Sequence, residues 1–89
     1  MDETYKIIGE FANILATHNK KLRACALVSL LNAMGIKNSS GNKYVENGRG
    51  IYRTIKCAYN EHENSNELET ANHIANYFID SRGKPAWEH

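Results

Sequence analysis

Apolar residues near the start of the chain recur at helical spacing: Ile7, Ile8, Phe11, Ile14 and Leu15 fall on one side of a helix over residues 4–17. A denser set follows. In KLRACALVSLLNAMG, the residues Leu22, Ala26, Leu27, Leu30, Leu31 and Met34 make a broad apolar face, widened by Ala24, Cys25 and Val28. With Asn19 as its cap, this stretch predicts a helix over 20–34, and its breadth marks it as the central helix of a core. Gly35 stands where a left-handed residue closes a helix, and Ile36 can pack back on the last turn.

The pattern then breaks. KNSSGNKYVENG is polar and turn-rich, with Tyr44 and Val45 its only sizeable apolar residues, and the 36–48 loop has room for a short β element. Periodicity resumes with Ile51, Ile55, Ala58 and Tyr59, predicting a third helix over 50–62. Asn64 and Glu67 have capping-box spacing for a fourth helix over 65–79, which would bury Leu68, Ala71, Ile74, Ala75 and Phe78. Residues 80–89, with Gly83 and Pro85, read as a tail. The expectation is an all-α fold, a small four-helix domain occupying residues 1–89 as one unit.

A chain of 89 residues can bury one modest core. No apolar run reaches the roughly 18 to 20 residues that span a membrane, and Asp2 and Glu3 give a charged start unlike a signal peptide. Cys25 and Cys57 lie inside apolar patterns without metal-site or redox spacing, so they read as reduced core residues. A cytoplasmic protein is expected.

Charge changes the picture more. The net charge is +1, but residues 20–56 carry a balance of +7, with Glu46 the one acid among eight cations. Residues 61–80 carry −5, with no Lys or Arg. Such polarity suits a basic face for a polyanion, or attraction between two halves of the chain. On a helix over 49–60, at about 100° per residue, Arg49, Arg53, Lys56 and Asn60 fall on one stripe opposite Ile51 and Ile55. Gly48 and Gly50 flank Arg49 where helix N–H groups are free, and glycine there permits close approach of an anion. The preceding loop adds Lys37, Ser39, Ser40, Asn42 and Lys43 as donors for phosphates or base edges.

LLNAMGIKNSSGNKY carries a further pattern: Leu31, Asn32, Gly35, Ile36, Gly41 and Tyr44 at fixed spacing. Over about 25 residues this resembles the DNA-binding "recombinase" region of large serine recombinases, with ENGRG as an insertion relative to that pattern. The catalytic domain of that family is absent, so strand exchange does not carry over. The resemblance implies a helix-turn-helix-like core, with residues 20–34 as the supporting helix and 50–62 as the recognition helix. It would bring Arg49, Tyr52 and Arg53 toward the DNA major groove.

The remaining chemistry is sparse. His18, His62, His73 and His89 have no metal-site spacing with a cysteine, and Ser29, Ser39, Ser40 and Cys57 lack a nucleophile motif. The leading expectation is therefore a small non-enzymatic DNA-binding protein without cofactor or metal, a regulator of bacterial or mobile-element type. The alternative is a protein-interaction module, an inhibitor or adaptor, docking through Tyr77 and Trp87. A third reading uses the polarised charge to build a homodimer.

Overall fold

A computed structural model describes residues 1–46 and 48–88. Four helices carry the fold: α1 (Glu3–Thr17), α2 (Ala24–Ala33), α3 (Arg49–Asn64) and α4 (Leu68–Tyr77). Two short strands, β1 (Leu22–Arg23) and β2 (Phe78–Ile79), pair in parallel, with Leu22 opposite Phe78 and Arg23 opposite Ile79. A 3-10 turn at Ala86–Glu88 closes the described chain. The expected small all-α fold is present. Its β element joins the start of α2 to the end of α4, and the described part of the 36–48 loop holds no strand.

Three helices end in the same way. Asn19, Gly35 and Asn66 adopt left-handed backbone, with φ of 50°, 75° and 63°. In each case the next residue's N–H reaches back to the last full turn: Lys20 to the Leu15 carbonyl, Ile36 to Leu31, and Glu67 to His62, at 2.8 to 3.0 Å. The closure at Gly35 and Ile36 matches the sequence pattern. Asn19, expected to cap a second helix, instead terminates α1. Residues 22 and 23 are thereby left extended for strand pairing, and α2 begins only at Ala24. The capping box is corrected likewise. Asn64 is the last residue of α3, and the Glu67 side chain caps nothing in α4 because it turns to His62 instead.

The central helix is α3, not α2. It packs against α1, α4 and the closing turn, while its contact with α2 is sparse. Ile51, Ile55 and Ala58 are buried with Ile8, Ala12, Leu27, Leu31, Ile74 and Phe78. On α2 only one face, Ala24, Leu27, Val28 and Leu31, reaches this core. Leu30 and Met34, expected inside, are 41% and 53% exposed. Ile14 and Leu68 are likewise on the surface, since α1 and α4 bury narrower faces than their apolar residues suggested. The two helices expected to form a helix-turn-helix-like pair, α2 and α3, are separated by residues 34–48, where the usual turn has about three or four residues.

Buried His62 holds α3 in place. Its Nε2–H donates to the Tyr5 carbonyl of α1 at 2.9 Å, and its Nδ1 lies 3.0 Å from the Glu67 carboxylate ahead of α4. The ring fits because position 9 is glycine. A Cβ there would stand 2.6 Å from His62 Nε2 and 2.8 Å from Cε1, closer than packed atoms tolerate. Gly9→Ala is expected to cost about 1–3 kcal/mol, as overpacking usually does, read as a lower denaturant midpoint. On a His62→Ala background the same change should cost far less. Equal costs in both backgrounds would show that the ring is not why glycine is needed.

Candidate nucleic-acid interface

The stripe on α3 is exposed along its length, at Arg49, Arg53, Lys56 and Asn60. Among the described residues, none of the three cations forms an ion pair; the acidic residues after position 60 make other contacts or face solvent. Glu63 accepts from the Tyr59 hydroxyl at 2.8 Å, Glu67 meets His62, and Glu61 and Glu69 are exposed. Arg49, Tyr52, Arg53 and Lys56 together border a surface depression of about 380 Å³.

The charge order along α3 opposes its dipole. Arg49 and Arg53 sit in the first turns, where the helix end is positive, while Glu61 and Glu63 sit near the negative end. Gly48 offers no side-chain cap, and no acid occupies the first turn. A charge misplaced at a helix end costs about 0.3–1 kcal/mol. Such a pattern disfavours the isolated helix and favours an anion placed against its first turns.

One side of the stripe is a cleft of about 340 Å³, where Lys37, Ser39 and Ser40 of the loop face Gly50, Arg53 and Thr54 of α3. The loop is braced from within. Asn38 Oδ1 accepts from the backbone N–H groups of Ser40 and Asn42, and Gly41 turns the chain at φ 80°. It is also tied to both flanking helices through Tyr44. Asn32 Nδ2 donates to the Tyr44 carbonyl and Asn32 Oδ1 accepts from the Tyr44 N–H, each at 3.0 Å. The Tyr44 ring is buried, and its oxygen lies 3.3 Å from the Thr54 hydroxyl of α3. Asn42 and Lys43 are exposed but do not line the cleft, so the structure brings three of the five loop candidates to α3.

The other side is built by the tail, whose part in the surface was not foreseen. Asp80 is buried, and its Oδ1 accepts from the N–H groups of Arg82 and Lys84 at 2.8 and 2.9 Å. A bridge between Ile79 and Pro85 closes this turn. Arg82 and Lys84 therefore stand beside Tyr52, around a groove of about 510 Å³ that Asp80 and Glu88 also line. Burial, the nearby Asp80 carboxylate and Cys25 push the Tyr52 phenol above its ordinary value of 10.0. The sequence signal for these two cations is that residues 81–89 carry Arg82 and Lys84 against the single acid Glu88, but a tail gives no reason to place them.

The two interface candidates fall differently. Trp87 docks on its own chain, its ring stacked on Tyr59 with centroids 4.6 Å apart. Tyr77 is half-buried and meets His73 edge-on at 5.9 Å. Glu63 raises the Tyr59 phenol by accepting its hydrogen bond, with burial adding to the effect. Cys25 and Cys57 are free and half-buried. Among the described residues, no three His, Cys, Asp or Glu side chains gather as a metal site, and no helix is long and apolar enough to cross a membrane. His89, named among the scattered histidines, lies outside the described residues.

Compared with protein-family models, curated proteins and solved structures, the chain matches none.

Two measurements probe how this face is built. In the lining of the cleft, burial, the charge and hydrogen bonding of Cys57, and the Asp2 and Glu61 carboxylates push Tyr5 up to about 12. Its neutral phenol favours the folded state, so that contribution is complete below pH 10 and is lost as pH rises through about 12. An ultraviolet difference titration of wild type against Tyr5→Phe should place this phenolate near pH 12. A transition at the ordinary value would remove the burial assigned to Tyr5. Asn32→Ala should cost about 1–3 kcal/mol by stranding the Tyr44 backbone groups and should speed hydrogen exchange of the Tyr44 amide. Unchanged exchange would show that the loop is held by other means.

Proposed function

We propose that this is a small DNA-binding protein that acts by binding alone, a regulator of bacterial or mobile-element type that lays the first turns of α3 against the duplex. The observation that carries this reading is the reversed charge order of α3. Among the described residues, Arg49, Arg53 and Lys56 form an exposed row without acidic partners, and it begins in the first turn, where cations are least stable. An external polyanion supplies what the fold withholds. Recognition helices enter the major groove through their N-terminal part, and this is the basic half of α3. In this reading phosphate contacts fall to Lys37, Ser39, Ser40 and Lys56, and base contacts to Arg49, Tyr52 and Arg53. Lys43 and Asn42 extend the donor set at the loop's outer side, and Asn60 continues the stripe.

The resemblance to the recombinase DNA-binding region supports the same class of partner and is the source of the mobile-element association. A module that grips another protein through Trp87 is less favoured, because that ring already stacks within its own chain.

Arg49→Glu separates function from stability. The acid would sit well in the helix dipole, so thermal stability should hold or rise by about 0.3–1 kcal/mol. Affinity for duplex DNA should fall, and the steep weakening of binding with added salt should flatten. Absence of a wild-type complex with duplex DNA even at low salt would end this reading. So would an Arg49→Glu chain that binds as tightly as wild type.

A further inference from the structure

We infer that the turn at residues 80–84 is a second phosphate-gripping element, so that duplex DNA is held on α3 between two basic shoulders. This inference rests on the DNA-binding reading above.

The geometry comes from the helix itself. Around α3, the stripe of Arg49, Arg53 and Lys56 lies opposite the buried Ile51, Ile55 and Ala58. Gly50, Thr54 and Cys57 form one flank, where the loop brings Lys37, Ser39 and Ser40. Tyr52 and Tyr59 form the other, where the tail docks: Trp87 stacks on Tyr59, and the Asp80 turn lies against Tyr52. The loop flank thus carries Lys37, with Asp2 in the same cleft, the tail flank carries Arg82 and Lys84 beside Asp80 and Glu88, and Arg53 and Tyr52 connect the two shoulders to the central depression.

The dimensions suit a duplex. A helix with its side chains is about 10–12 Å across, close to the roughly 12 Å width of a B-DNA major groove. Cations on both sides of a helix seated there face the two sugar-phosphate strands bordering the groove. A single-stranded chain or an acidic peptide would need only one shoulder.

The tail turn is built to present its charges. The Asp80 carboxylate is buried and accepts the backbone N–H groups of Arg82 and Lys84, whose side chains are exposed. Glu88 also lines the groove, and among the described residues it forms no ion pair with either cation.

The test is the salt dependence of binding to a mixed-sequence duplex. Each phosphate contact contributes about 0.9 to the slope of log affinity against log salt, so Arg82→Ala with Lys84→Ala should flatten the slope by about 2. Lys6→Ala, in a separate surface depression with Glu10 and Ser65, is the single-charge control for Lys84→Ala alone and should leave the slope unchanged. Circular dichroism checks that each variant keeps its helices. If wild type binds duplex and the tail variant keeps its affinity and slope, the second shoulder is wrong while the α3 reading survives. A control that loses as much slope as Lys84→Ala also overturns it, since net charge would then explain the effect. Equal retention of single-stranded DNA would remove the two-sided grip, and failure of wild type to bind any duplex would take both proposals down together.

Discussion

His62 is the joint on which the arrangement of this domain depends. One buried ring meets the backbone of α1, the carboxylate that precedes α4, and a glycine whose missing side chain makes room for it. Helices that touch only through apolar faces can slide or rotate at small cost, since dispersion has no direction. A hydrogen-bonded ring at a crowded crossing does not permit this. With α3 fixed at its C-terminal end by His62 and along its length by Ile51, Ile55 and Ala58, the opposite side must face outward. The position of the basic row is thus a consequence of the core.

The residues that carry the recombinase-like pattern have a common physical role. Leu31 is buried, Asn32 clamps the Tyr44 backbone, Gly35 and Gly41 take left-handed turns, Ile36 packs on the core and Tyr44 spaces α2 from α3. They build a loop; the residues that could touch a ligand, Lys37, Ser39 and Ser40, lie between them. Shared spacing of this kind reports how a loop is held more directly than what it holds. The two glycines around Arg49 divide similarly. A Cβ on Gly48 would crowd Val45 at 3.2 Å, whereas Gly50 faces open space beside the cleft. The first serves the turn, and the second has no demand from the fold.

Much of this architecture was legible in the chain because helices announce themselves by period. The four helical segments, the closure at Gly35 and the outward face of α3 all follow from spacing alone. What escaped has a common cause. A two-residue strand has no period, so Leu22 and Arg23 merged with the apolar run of α2. Asparagine serves equally at the start of a helix and, left-handed, beyond its end, so the pattern puts Asn19 and Asn64 at helix starts where the fold has Asn19 closing α1 and Asn64 as the last residue of α3. The breadth of an apolar face also misled. α2 is rich in apolar residues yet peripheral, because the core is reached by whichever helix its neighbours enclose. Arg82 and Lys84 were beyond reach, since their placement depends on a carboxylate organising a turn and on an aromatic residue docking far away in sequence.

The parallel pairing of β1 with β2 bears on the order in which the domain can assemble. Leu22 finds its partner only at Phe78, and Phe78 and Ala86 are themselves fully buried in the core shared by α1, α2 and α3. Parallel pairing between such distant segments carries a loop-closure cost before it returns any contact. Helices can form locally, but Phe78 and Ala86 reach the core only with the segment after α4. For a chain emerging from a ribosome, that segment follows the first three helices, and the part of their apolar faces it covers is exposed until it arrives. That same segment carries Arg82 and Lys84, so completion of the core and completion of the basic surface are one event.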